Sequence, residues 1–135
     1  MDVEDVLESV ATRLRAQTLI PWYLWHLPDW ENLKGKDPYG AVSVIGPFES
    51  DVDHSILGIE AQPLVGSVLV AVASSTVEGL HANSKAVQAA LRGWSPGTGV
   101  TGLKAERAKG YEPVDSRVPV TMIVRHMQFT FRTNL

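Results

Sequence analysis

Cysteine is absent from this 135-residue chain. That absence excludes a disulfide scaffold, a cysteine nucleophile, a thiolate zinc site and an iron–sulfur cluster. Positive charge is also scarce: 12 Lys+Arg stand against 15 Asp+Glu, a formal net charge of −3. Such a balance gives no support to a nucleic-acid binder that works by neutralising phosphates. Long apolar runs are missing as well. The longest, around residues 65–73, contains Gly66 and Ser67 and falls far short of a membrane span. The acidic start, Met1-Asp2-Val3-Glu4-Asp5, is unlike a basic signal-peptide start, so cytosolic synthesis is expected. There is no Walker loop, no G-x-G-x-x-G and no G-x-S-x-G elbow. His26, His54, His81 and His126 show neither H-x-x-x-H nor H-E-x-x-H spacing, and no metal or other cofactor is expected.

What remains is a globular composition, 44% hydrophobic and 20% charged, of a length that fits one domain over residues 1–135. Residues 2–17 predict a helix. Val3, Val6, Leu7, Val10 and Leu14 form one apolar stripe, Asp2 can cap it, and Arg13 and Arg15 sit near its negative end. Pro21 is expected to end that helix, and residues 22–27 then read as an aromatic strand. Residues 31–38 read as a polar loop, and residues 41–45 as a strand broken by Gly46-Pro47. An acidic loop (49–55) and a short strand (56–60) follow.

Residues 66–75 predict a strand in which Val68, Val70 and Val72 alternate with Leu69, Ala71 and Ala73. Both of its faces are apolar, which predicts a central strand covered on both sides. A second helix is expected over residues 80–92, with Leu80, Ser84, Val87 and Leu91 on one stripe and Gly93 at its C-terminal cap. Residues 95–99 form a Gly-rich turn, and residues 100–109 and 118–132 read as strands. The order predicts an α+β fold: a mostly antiparallel sheet with two helices packed on one face.

Three features bear on function. Trp22, Tyr23, Trp25 and Trp30 fall within nine residues, although aromatics make up only 7% of the chain. Alternation puts Trp22, Leu24 and His26 on one side of a strand and Tyr23, Trp25 and Leu27 on the other. Rings on both sides either fill a small core or anchor a subunit interface. The second feature is the acidic run Glu49, Asp51 and Asp53 beside His54. It reads as a solvated loop, or as carboxylates and an imidazole for a cation or acid–base work. Third, residues 1–60 hold 11 acids and 4 bases, whereas residues 61–135 hold 4 acids and 8 bases, among them Lys104, Arg107, Lys109, Arg125 and Arg132. Opposite halves either neutralise each other within one subunit or meet head to tail between identical copies.

The element order resembles the tail terminator proteins of long, non-contractile-tailed (siphovirus-type) phages, especially those of actinobacterial phages. The resemblance runs over nearly the whole chain. It is carried by the amphipathic helix over residues 3–14, the strand over residues 21–27 leading through Pro28 to Ala41-Val42-Ser43-Val44-Ile45-Gly46, and Val68-Leu69-Val70-Ala71-Val72-Ala73-Ser74. It continues through the helix ending Ala89-Ala90-Leu91-Arg92-Gly93, the Glu112-Pro113 turn and Met127-Gln128-Phe129-Thr130-Phe131-Arg132. The long connection over 46–66 and Glu78-Gly79 depart from the pattern.

The resemblance implies a non-enzymatic virion subunit, assembled in the host cytoplasm, that forms a homohexameric ring capping the tail tube. Its implied partners are further copies of itself, the major tail tube protein and the head–tail connector or neck protein. Genomic DNA passes through the lumen without being bound, and no membrane is involved. Within that frame Trp22, Tyr23, Trp25, Trp30, Arg125 and Arg132 are candidates for subunit contacts. Glu49, Asp51 and Asp53 are candidates for a lumen or axial surface, and six copies at −3 total −18, which repels phosphate. The nearest rival is another neck, head-closure or minor tail protein. A more distant rival is a small ligand-binding or metal-dependent α+β enzyme domain that uses His54 with Asp51 or Asp53.

Overall fold

The computed structural model describes residues 3–26, 37–49, 63–106, 112–113 and 122–134. Their order is α1 (Val3–Gln17), β1 (Trp22–Leu24), β2 (Tyr39–Glu49), β3 (Pro63–Ser74), α2 (Val77–Leu91), β4 (Lys104–Ala105), β5 (Glu112–Pro113) and β6 (Ile123–Asn134). The strands form one six-stranded sheet in the order β1-β2-β3-β6-β4, with β5 also paired to β6. Every pairing is antiparallel except β1 with β2, which run parallel. Both helices pack on one face of this sheet, so the α+β architecture is the one expected.

The helices follow their apolar stripes. In α1, Val6, Leu7, Val10, Ala11 and Leu14 are buried, with acidic Glu4 and Asp5 in the first turn and Arg15 in the last. The helix stops at Gln17, before Pro21. There the Thr18 amide and hydroxyl both donate to the Leu14 carbonyl, at 2.9 and 2.6 Å. Helix α2 begins earlier than the stripe implied. Thr76 is its N-cap, accepting from the Gly79 amide at 3.1 Å, so Glu78 and Gly79 belong to its first turn. Beyond it Gly93 takes φ +77°, the left-handed conformation that ends many helices.

The central sheet is β2, β3 and β6. Its even β3 residues Val68, Val70 and Val72 meet Phe129, Met127 and Arg125 of β6 across one interface, and Val68 and Val70 meet Val44 and Val42 of β2 across the other. Phe129, Phe131, Val68, Val70 and Val72 lie fully buried beneath the helices. Two aromatic rings are accommodated by glycines: Trp22 lies across Gly40, and Phe131 lies across Gly66, where a Cβ would collide with either ring.

Several expectations change. Gly46-Pro47 does not end its strand. Gly46 takes φ +84° and the register shifts between Ile45 and Phe48, so the pair forms a bulge through which β2 continues to Glu49. The aromatic strand pairs only over Trp22–Leu24. Of the expected strand over 100–109, the described residues 100–106 form only a bridge from Val100 to Thr133 and the two-residue β4, and 107–109 lie outside the described residues. Strand β6 starts at Ile123 instead of 118, and residues 118–121 are outside the described set. Strand β3 is central, as expected; among the described residues the helices cover one face only, and on the other Ala73 is buried while Leu69 and Ala71 are half-buried. The expected loop over 31–36 and strand over 56–60 lie outside the described residues.

Candidate assembly surface

The face of the sheet away from the helices is the most distinctive surface of the molecule. At one end it carries a small second core in which Tyr39, Ala73 and Met122 are buried and Tyr23 and Val124 pack against them. Burial there raises the Tyr39 phenol above its ordinary 10.0, with Asp37 and then Tyr23 adding to the rise. Asp37 is itself held by Ser75, whose amide donates to it at 3.1 Å and whose hydroxyl donates to its second oxygen.

Away from that cluster the face opens and divides into two halves. Towards β1 and β2 it is apolar: Ile45 is 47% exposed, and Leu69 of β3 is half-buried beside Ser43. Towards β6 and β4 it is polar and basic: His126, Gln128, Arg132 and Lys104 are exposed. Gln128 donates to Ser67 at 3.0 Å, and Thr130 donates to Glu106 at 3.2 Å, so side-chain hydrogen bonds stiffen this half.

The aromatic candidates separate. Trp22 is buried in the helix-covered core, and its indole N–H donates to Thr18 at 2.7 Å, which fastens β1 to the end of α1. Tyr23 packs on the second core. Trp25 is 49% exposed and takes φ +71°. The His26 amide reaches back to the Leu24 carbonyl at 2.9 Å, so Trp25 occupies the middle of a γ-turn, a strained conformation for a side chain of this size. This turn ends β1, and no local sequence signal marks it. Arg125 is half-buried on the helix-covered side, and Arg132 is exposed on the open face. Glu49 is the last residue of β2, while Trp30, Asp51, Asp53 and His54 lie outside the described residues. Sequence reasoning missed Ile45 and Leu69, because an apolar alternation does not say which face the helices take.

On the helix side, a shallow groove runs between α1 and the turn after α2, lined by Glu8, Ser9, Thr12, Arg13 and Trp94. The Arg13 guanidinium lies 5.6 Å from the Trp94 ring centre, and its Nε donates to the Ala90 carbonyl at 3.1 Å. Ser9 donates to the Pro96 carbonyl at 2.7 Å. The Ser95–Gly99 turn beyond is organised by the Ser95 hydroxyl, which lies within 2.9 Å of the Gly97 carbonyl and 2.7 Å of the Val100 carbonyl. Among the described residues no group of three His, Asp or Glu is placed to hold a metal ion, and no helix is long and apolar enough to cross a membrane.

Among the described residues, a six-stranded sheet with two helices on one side and, away from the Tyr39 cluster, no helix or strand on the other defines the class: an α+β fold. The same architecture is found in a chain of the virion of native gene transfer agent (GTA) particle, with a TM-score of 0.58 over 95% of this chain and 92% of that chain. The two share 20% sequence identity, a likeness of fold. No protein-family model matches the chain, and neither does any curated protein sequence.

Proposed function

We infer that the protein is a structural subunit of a phage-type virion, and specifically a tail terminator: a ring of six copies that caps the tail tube, stops its growth and meets the head connector. The observation that carries this reading is the full-length likeness of fold to a chain of a gene transfer agent virion, found in a sequence whose element order already resembles tail terminators. A sheet face left open in the subunit supports it, since a ring subunit needs surfaces completed by its neighbours. Its work is mechanical, and no residue is assigned to catalysis. In this reading the acidic run Glu49, Asp51 and Asp53 lines the lumen or an axial surface, where negative charge lets DNA pass without being held.

The test is cryo-electron microscopy of tails assembled without heads, with the chain tagged. Density for the tag on the head-proximal end of the tube is expected. A tag found only on head-filled particles would assign the chain to head closure or another part of the neck instead.

A further inference from the structure

The open sheet face has a complementary surface on the same molecule, and the two point in opposite directions. On the sheet side Lys104 and Arg132 are exposed beside Gln128. On the helix side, Glu4 and Glu8 are exposed in the first half of α1, where the helix also presents the groove floored by Trp94. The one cation of that groove, Arg13, is already engaged within the subunit by the Trp94 ring and the Ala90 carbonyl. The outward charge of α1's first two turns is therefore acidic, and on the β6–β4 side of the open face Lys104 and Arg132 outweigh Glu106, which is engaged by the Thr130 hydroxyl, so that side is net basic.

We propose that the open sheet face docks a second copy of this chain, receiving the outer surface of that copy's α1. Arg132 and Lys104 then meet Glu4 and Glu8 of the neighbour, while Ile45 and Trp25 supply the apolar side of the contact. The proposal deepens the ring reading and rests on it. Because the two surfaces differ and lie on opposite sides of the subunit, the contact is heterologous: each copy offers a sheet to one neighbour and a helix to the other. Such contacts propagate, and they close into a ring when the rotation per step divides a full turn. The strained Trp25 fits this use. A half-exposed indole held at φ +71°, with its amide tied to the Val42 carbonyl at 2.9 Å, is a pre-set anchor for a contact.

Sedimentation of the full chain across concentration and salt tests the pairing, with circular dichroism and the unfolding midpoint as folding controls. Self-association that weakens as salt rises is expected. Glu8→Lys or Arg132→Glu alone should weaken it by about tenfold or more, since each sets like charges opposite one another, and the combined variant should recover most of the loss. Trp25→Gly should weaken association while leaving the monomer's midpoint unchanged or higher. Association untouched by either charge reversal would overturn this pairing and leave the ring reading standing. A monomer at every concentration would overturn both. An open-ended series of masses controlled by the charge swap would support the pairing and overturn closure into a ring.

Discussion

The two faces of the sheet are built from the same three strands and have opposite fates. On the helix-covered face Val68, Val70, Val72, Phe129 and Phe131 are almost wholly removed from water. One residue along each strand, Leu69, Ala71, Gln128 and Thr130 remain in partial or full contact with it. The backbone ladder is shared, so hydrogen bonding does not distinguish the two sides. The difference lies in what covers them: two helices with apolar stripes on one side and, away from the Tyr39 cluster, no helix or strand among the described residues on the other. Stability is therefore concentrated on one side.

Truncation should separate the faces most sharply. Phe129→Ala opens a cavity under the helices and should cost about 3–5 kcal/mol in denaturant unfolding. Leu69→Ala, removing a half-exposed side chain from the open face, should cost about 1 kcal/mol or less. Equal losses would mean that the open face is packed within the subunit after all. Next in size is Thr18→Val, which keeps the shape but leaves the buried Trp22 indole N–H without its acceptor. A loss of about 1–3 kcal/mol is expected, and an unchanged midpoint would show that the indole finds another partner.

A smaller change of opposite sign belongs to Ser84. Its hydroxyl is buried in α2 with no hydrogen-bond partner among the described residues, so Ser84→Ala should stabilise the fold by about 1 kcal/mol. A destabilised Ser84→Ala would reveal a partner for that hydroxyl. The smallest effect appears only in alkali. Because the folded state holds the Tyr39 phenol above 10.0, its contribution is complete below that pH and is lost as pH rises through the elevated folded value. Phenolate absorbance should show one tyrosine titrating late, and Asp37→Asn should bring that titration partly back towards ordinary. A late tyrosine unaffected by Asp37→Asn would leave burial as its sole cause.

How much of this was legible in the sequence depends on whether the signal is local. The helices were, because their stripes repeat within one or two turns: Leu80, Ser84, Val87 and Leu91 are all buried as spaced. The alternation of β3 identified a strand and its two apolar faces. It did not tell which face the helices would take, since that is decided by where α1 and α2 land, far away in the chain. Gly46-Pro47 reads locally as a stop, yet pairing on both sides of the bulge carries β2 onward to Glu49. The aromatic run gave the correct opposition of Trp22 and Tyr23, but not the γ-turn at Trp25, a conformation that no residue type announces. Of the candidate site, Arg132 was legible as part of a basic C-terminal third. Its place on the same face as Lys104 required the pairing of β4 with β6, which sets Lys104 opposite Thr130.

The absence of cysteine makes the central claim directly measurable, because any engineered pair reports only on itself. Glu8→Cys and Arg132→Cys in one chain place thiols on opposite sides of the subunit. Under mild oxidation the account predicts a covalent ladder in multiples of 14.7 kDa, with neither single variant passing beyond a dimer. Oxidation that leaves the double variant at 14.7 kDa, or stops it at dimers as the single variants do, would contradict the account.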